Sequence, residues 1–197
     1  MSSLRFENVA CVRGGRLLFE DVSFALSAGQ AAIVTGPNGT GKSSLLRVAA
    51  GLLDAAAGRI ERNGAVALAD ENTALDRDLP LEKAVAFWAG LDGRAAALPD
   101  AMAAMGLSHL APVPVRMLST GQRKRATIAR AIASGAPIWL LDEPINGLDA
   151  EAIERLETAC ANHQAHGGIV LAATHQAIDL KQMRTIPLGT SGKIADA

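Results

Sequence analysis

Two hydrophobic periods divide the chain into predicted strands and helices. Apolar and polar residues alternate over residues 4–9 and 22–26, which is the period of half-buried strands. The runs 137–141 and 169–173 are apolar throughout, as expected of strands covered on both faces of a parallel sheet. The pattern therefore predicts an α/β protein with a mainly parallel sheet and an antiparallel N-terminal part.

The turn-forming and capping residues between these runs predict the turns and helix ends. A turn at Arg13-Gly14-Gly15-Arg16 is typical of a hairpin, and Gly51 is expected to end the first helix. Asp149 is a suitable N-cap for a helix that stops at Gly167-Gly168. Further expected elements are short strands at 17–19, 31–34, 58–60 and 65–68, and helices at 44–50, 123–133 and 150–165.

Residues 70–118 differ from the rest of the chain. They combine acidic, proline-punctuated segments with helix-like runs at 81–90 and 100–106. We interpret them as a small helical insert in one domain that spans 1–197, between a first part (1–69) and a last part (119–197). Met102 and Met105 lie at helical spacing and are expected to fill the core of this insert.

Composition limits the possible functions. Hydrophobic residues make up 49% and charged residues 20% of the 197, with a formal net charge of −1. This charge offers no general attraction to nucleic acid. Cys11 and Cys160 have neither metal nor disulfide spacing, which favours a reducing, cytosolic compartment. Without an N-terminal signal or a long apolar run, the chain is expected to reach a membrane only through a partner.

One glycine-rich segment predicts a phosphate-binding loop. It lies between the apolar run 31–34 and the helical run 44–50, the setting that the P-loop pattern G-x-x-x-x-G-K-[ST] requires; a chance glycine-rich turn is the alternative. N–H groups at the helix start would point at the anion, Lys42 would reach the β- and γ-phosphates, and Ser43 would offer its hydroxyl to Mg²⁺. The expected nucleotide-binding residues are Gly36, Pro37, Asn38, Gly39, Thr40, Gly41, Lys42, Ser43 and Ser44.

Two carboxylates follow the apolar run 137–141. Asp142 stands where a carboxylate can hold Mg²⁺ opposite the loop, and Glu143 can act as general base on the attacking water. His175, at the end of another strand, is a candidate partner of the γ-phosphate. Trp139 is expected in the core, and His109, His163 and His166 are expected to be solvated.

A second anion site is predicted at the start of another helix. Leu118-Ser119-Thr120-Gly121-Gln122 again places a glycine at a helix N-terminus. One P-loop already serves one nucleotide, so Ser119, Thr120, Gly121 and Gln122 make most sense if they complete the site of another copy.

These motifs, in this order, resemble those of ABC-type ATPases. Residues 36–43, 118–122, 138–143, 147–149 and His175 look like the Walker A, signature, Walker B, D-loop and switch-histidine motifs. The resemblance implies an ATPase that binds ATP and Mg²⁺, with two copies enclosing two nucleotides to drive integral membrane subunits. It places the chain at the cytoplasmic face of the inner membrane and implies that Asp149 belongs to the nucleotide site.

Within the family, the chain most resembles the haem-exporter subunits of cytochrome c maturation. The features are its short length, Trp139 before Leu-Leu-Asp-Glu-Pro, Thr174-His175-Gln176 and the brief tail. The alternatives are another small exporter or, less favoured, a soluble ABC protein, whose paired cassettes or long inserts this chain has no room for. A nucleoside kinase would leave the signature without a purpose.

The chain departs from the family pattern at two places. It has no Tyr to stack on adenine, and the matching position falls near Arg13, whose guanidinium group can stack instead. The family's Q-loop glutamine, a metal-site residue, has no direct counterpart. Glu71 is the nearest match, with Asp70 as a rival.

Overall fold

A parallel sheet forms the centre of the molecule. The structure is a computed structural model that describes residues 1–189. Five strands lie in the order β5-β6-β7-β3-β8, and every paired neighbour is parallel. The strands are β3 (Ala31–Thr35), β5 (Val66–Ala69), β6 (Ile138–Asp142), β7 (Ile169–Ala173) and β8 (Met183–Pro187). The α/β class with a mainly parallel sheet is therefore confirmed.

A separate antiparallel sheet is built from the N-terminal part of the chain. Its order is β2-β1-β4, with β1 (Ser3–Arg13), β2 (Arg16–Ser27) and β4 (Ala57–Asn63). The predicted hairpin is present, since Arg13 pairs with Arg16. The two segments expected at 17–19 and 22–26 belong to one continuous strand, because register shifts in the β1–β2 ladder absorb the change in side-chain alternation.

Within residues 1–189, five α-helices connect these strands, and the predicted capping residues mark one end of the first and of the last. Gly51 ends the first helix in a left-handed conformation, and the Asp149 side chain caps the last one by accepting from the Ala152 N–H at 2.8 Å. The third helix begins at Leu98, earlier than predicted, because Pro99 is suited to a first turn. The helices are α1 (Lys42–Ala50), α2 (Leu81–Leu91), α3 (Leu98–Ala104), α4 (Thr120–Ser134) and α5 (Ala150–Ala165).

The parallel sheet separates two apolar clusters. Successive residues of β6 alternate between them, with Trp139 and Leu141 on one face and Ile138 and Leu140 on the other. The first face packs against α2, α4 and α5, and the second against α1 and the antiparallel sheet. Met102 and Met105 are buried in the first cluster, as expected, so the helices of 70–118 share a core with the sheet.

Strand β8 was not predicted. It pairs in parallel with β3, although four of its five residues are exposed. The segment after it returns to the P-loop, where the Leu188 N–H donates to the Thr35 carbonyl oxygen at 2.8 Å.

The prediction that His163 is solvated was wrong. Its ring is half-buried and stacks on Trp139, with a centroid distance of 3.8 Å. Burial lowers the pKa of His163 to about 4. His109 and His166 are exposed.

Candidate active site

The carboxyl ends of three neighbouring strands build the site. Strand β3 leads into the P-loop, β6 ends at Asp142 with Glu143 directly after it, and β7 leads to His175. Parallel strands present these ends along a single edge, which is where α/β proteins hold ligands. The Glu143 N–H donates to the Ala173 carbonyl oxygen at 2.8 Å and so fixes the turn after β6 to β7.

The P-loop has a backbone that only glycine adopts readily. Gly36 has φ +143°, and a Cβ there would lie 2.5 Å from the Leu188 carbonyl oxygen. Gly41, with φ +100°, is the N-cap of α1 and makes no side-chain capping hydrogen bond. The first N–H groups of α1 are thus left uncapped by side chains, as a phosphate-binding helix start requires.

Lys42 lies across the same loop. Lys42 is 7% exposed, and its Nζ donates to the carbonyl oxygens of Gly36 (2.8 Å) and Pro37 (3.2 Å). Thr40 also turns back on the loop, since its hydroxyl donates to the Pro37 carbonyl oxygen at 2.9 Å. The ammonium group is therefore held at the mouth of the loop, where a phosphate would find it.

Asp142 and Ser43 come together across the edge of the sheet. Burial raises the pKa of Asp142, and the nearby Ser43 hydroxyl opposes this rise. Within the described part of the chain, the buried Oδ1 atom of Asp142 has no hydrogen-bond partner. A carboxylate and a hydroxyl beside a phosphate loop suit Mg²⁺, which takes few protein ligands and completes its shell with phosphate oxygens and water.

Glu143 and His175 form the second polar pair. The Nδ1 atom of His175 lies 3.1 Å from the Glu143 carboxylate, and Glu143 has the unusual φ of +43°. The Glu143 side chain is 18% exposed, against 55% for His175. Residues held in such a rare backbone conformation cluster at active sites.

The loop after β5 brings two acidic residues to the site. Asp70 lies 3.6 Å from Arg47, and its Oδ1 accepts from the Asn72 N–H at 3.0 Å. Glu71 is exposed and lines a pocket that it shares with Glu143. Its role as a metal ligand stays a prediction.

The signature residues start α4 with a capping box. The Ser119 hydroxyl accepts from the Gln122 N–H at 3.2 Å, and the Gln122 side chain accepts from the Ser119 N–H at 2.8 Å. The box uses two of the first N–H groups and leaves those of Thr120 and Gly121. This is also why α4 begins three residues earlier than the predicted start at 123.

The signature and the D-loop share a surface cleft without P-loop residues. Gly121 packs so closely on Gly147 that an added Cβ would lie 2.8 Å from its carbonyl oxygen. The cleft has a volume of about 660 Å³ and includes Asp149, whose Oδ1 already caps α5. One copy of the chain thus separates its signature from its own P-loop.

Arg13 is exposed at the tip of the β1–β2 hairpin. The adjoining part of β2 reaches the P-loop, because a Cβ at Gly41 would lie 3.0 Å from Leu18 and Phe19 atoms. Two other residues near the site, Arg47 and Lys124, were not predicted. For Lys124, the signal available in the sequence was a lysine in a helix that faces a buried strand.

Sequence comparison places the chain in a family. The pattern of the family described as ABC transporter matches residues 19–146. The chain therefore belongs to the ABC transporter family, as a transport-coupled, ATP-hydrolysing subunit.

Its curated relatives define a narrower group. A protein of Zymomonas mobilis is 55% identical over 185 residues, which cover 94% of this chain and 84% of the relative. A protein of Sphingopyxis alaskensis is also 55% identical, over 94% of this chain and 96% of its own. Both are named cytochrome c biogenesis ATP-binding export protein CcmA, which confirms the resemblance to the cytochrome c maturation branch.

Solved structures agree on the fold. An ATP-binding subunit of an ABC transporter superposes with a TM-score of 0.76 at 25% identity, over 87% of this chain and 79% of its own. An ATP-binding ABC transporter protein from Pyrococcus furiosus gives a TM-score of 0.82 at 20% identity, over 94% and 97%. The ABC ATPase fold expected from the motifs is confirmed.

Proposed function

We propose that this chain is the ATPase subunit of an exporter that serves cytochrome c biogenesis, with haem as the cargo. The names of its relatives support the pathway, and haem follows from the subfamily resemblance. The observation that carries the ATPase part is the meeting of Ser43 and Asp142 beside the P-loop, with Glu143 and His175 at the same edge. Another small exporter is the alternative, with a soluble ABC protein less favoured.

In the proposed site, the P-loop holds the phosphates of ATP. The uncapped N–H groups at the start of α1 bind the anion, together with Lys42. Ser43 and Asp142 are the residues that would hold Mg²⁺, and the unpartnered Oδ1 of Asp142 supports this assignment. Bound Mg²⁺ would neutralise charge on the phosphates as the terminal bond breaks.

Glu143 is the proposed general base. Its carboxylate would take a proton from the attacking water, and His175 would orient this carboxylate through the 3.1 Å contact. The left-handed backbone at Glu143 supports this role, since strain of about 1–3 kcal/mol is kept where the surrounding structure and function require it. Glu71 is proposed to take the place of the Q-loop glutamine, near enough to Glu143 to share its pocket.

A second copy of the chain is proposed to complete the site. The lining of the signature cleft, among the described residues, includes none from its own P-loop, which supports a role for the N–H groups of Thr120 and Gly121 in binding the nucleotide of a partner copy. Ser119, Gln122 and Asp149 hold this surface in shape through their capping hydrogen bonds. Arg13 would stack on the adenine from the hairpin tip.

The proposed location is the cytoplasmic face of the inner membrane, on integral membrane subunits of the exporter. None of the helices in residues 1–189 is both long enough and apolar enough to cross a bilayer. No nucleic-acid partner is proposed, given the net charge of −1. The insert of 70–118 remains, by proposal, a part of one ABC domain that spans 1–197.

A gene deletion tests the proposed pathway. We expect mature c-type cytochromes to disappear from the deletion strain while b-type cytochromes remain, because only the c-type proteins need the exported cofactor at their site of assembly. Haem-stained gels measure both. A plasmid copy should restore the c-type bands, and a matched Lys42→Ala copy should not. Normal c-type bands in the deletion strain would contradict the pathway but not the ATPase.

A further inference from the structure

Lys124 connects the signature helix to the strand that carries the candidate carboxylates. It lies in the second turn of α4, is half-buried, and its Nζ donates to the Asp142 carbonyl oxygen at 2.5 Å. Glu143 follows directly in the chain. A single side chain thus fixes α4 to the point where both candidate catalytic carboxylates leave the sheet.

The same side chain lines a pocket between three segments. The pocket has a volume of about 190 Å³ and lies where the loop after β5, the start of α4 and the turn after β6 face one another. Its lining residues are Asp70, Glu71, Thr73, Thr120, Arg123, Lys124, Glu143 and Asn146.

Four carboxylates act on the charge of this ammonium group. Burial lowers the pKa of Lys124, while the charges of Asp142, Glu71, Asp70 and Glu143 act in the opposite direction and favour the charged form. A cation in such surroundings is stabilised by the acidic groups and in turn reduces the repulsion between them.

Among the three acids that line the pocket, Glu71 has the fewest other charged partners. Asp70 has Arg47 at 3.6 Å, and Glu143 has His175 at 3.1 Å. Glu71 takes part in none of the ion pairs found within residues 1–189. Arg123, the other cation of the pocket, is directed to its own helix start, because its guanidinium donates to the Leu118 carbonyl oxygen.

We propose that Lys124 is a positioning residue for ATP hydrolysis: its ammonium group balances Glu71 and holds the loop after β5 against the end of β6. The proposal rests on the proposed ATPase activity, since the carboxylate that it positions is Glu143. Without the ammonium group, Glu71 and Glu143 would share the pocket with Arg123 as the remaining cation of its lining. The strand end would also lose the hydrogen bond at Asp142.

The test is a double-mutant cycle between Lys124→Met and Glu71→Gln. Methionine keeps most of the length of the side chain and removes its charge. We expect Lys124→Met to lower kcat for ATP about tenfold and to change KM less than about threefold, because the defect lies in positioning. In the Glu71→Gln background, the same substitution should lower kcat less than about threefold, because the unbalanced charge is gone.

A second measurement needs no nucleotide. In Mg²⁺-free buffer, Lys124→Met should lower Tm by about 3 °C, and by clearly less in the Glu71→Gln background. Lys124→Arg keeps the charge and should stay within about threefold of the parental kcat. Lys181→Gln, at an exposed lysine, is the matched control and should change neither readout.

The outcomes separate the two proposals. An unmodified protein without ATPase activity would contradict the proposed function itself. If it hydrolyses ATP and Lys124→Met keeps a kcat within twofold, the positioning role is wrong. Equal effects of Lys124→Met in both Glu71 backgrounds, in kcat and in Tm, would also overturn the pairing with Glu71.

Discussion

At the scale of single residues, the site depends on charged side chains that are largely shielded from solvent. Asp142 is 6% exposed, and burial raises its pKa, yet its Oδ1 has no partner among the described residues. An unsatisfied buried acceptor is costly, unless a cation arrives to use it. The Ser43 hydroxyl at the same carboxylate makes Mg²⁺ with bound phosphate the chemically consistent occupant.

Asp142→Asn tests this residue directly. The substitution keeps the shape and removes the negative charge, so we expect ATP turnover to fall by at least about 10²-fold and half-saturation by Mg²⁺ to require a higher concentration. A Mg²⁺ titration of ATPase activity measures both. Asp54→Asn, on an exposed loop, is the matched control. An unchanged Mg²⁺ dependence would exclude Asp142 as the metal ligand.

At the scale of elements, side chains with long reach fix the helices to the sheet. Trp88 of α2 donates its Nε1 hydrogen bond to the Ala74 carbonyl oxygen at 2.7 Å, and Arg130 of α4 lies 5.1 Å from the Trp88 ring centroid. Arg130 also donates to the Leu68 carbonyl oxygen at the end of β5. These contacts fix the loop that carries Asp70 and Glu71 between α2, α4 and the sheet.

The contact between α5 and β6 makes stability depend on pH. The pKa of His163 is about 4 in the fold, against an ordinary 6.5, because burial against Trp139 disfavours the imidazolium. The unfolded chain therefore binds more protons between these values, so this stabilisation is complete above about pH 6.5 and is lost as the pH falls toward 4. Solvent screens part of the shift, which leaves about 1–2 kcal/mol.

Thermal unfolding of His163→Phe measures this pH-dependent stabilisation. Phenylalanine can stack on Trp139 but does not titrate, so the variant should lose several degrees less in Tm than the parent between pH 6.5 and 4.5. The difference between the two proteins isolates His163 from the carboxylates, which titrate in both. Parallel Tm curves would show that His163 is not held neutral by the fold. His109→Phe, at an exposed position, should behave like the parent.

Local patterns predicted most of these elements, and long-range pairings account for what was missed. The sequence β3–P-loop–α1 follows from adjacent residues, as does the Asp149 cap of α5. Strand β8 was missed because its exposed residues carry no core pattern, and it exists through pairing with β3. The role of His163 depends on its contact with Trp139. The role proposed for Lys124 depends on Asp142 and Glu71. In both cases only folding brings the residues close together.

At the scale of the whole molecule, the P-loop motifs and the signature motif lie on different surfaces. The P-loop, Asp142 and Glu143 share the carboxyl edge of the parallel sheet, whereas the signature and the D-loop form a separate cleft. This separation fits the proposed pairing of two copies on a membrane partner, in which each copy would supply half of two sites. Glu143 is the residue on which hydrolysis at each completed site is proposed to depend.

ATP turnover by Glu143→Gln tests the central claim most directly. The amide keeps the size of the side chain but cannot take a proton from water, so the account predicts Mg²⁺-dependent hydrolysis slower by about 10²–10⁴-fold. Nucleotide affinity should stay within about threefold of the parent, because the P-loop is untouched. The matched variant Glu154→Gln, at an exposed position of α5, should keep the parental rate. Turnover by Glu143→Gln at the parental rate would contradict the account.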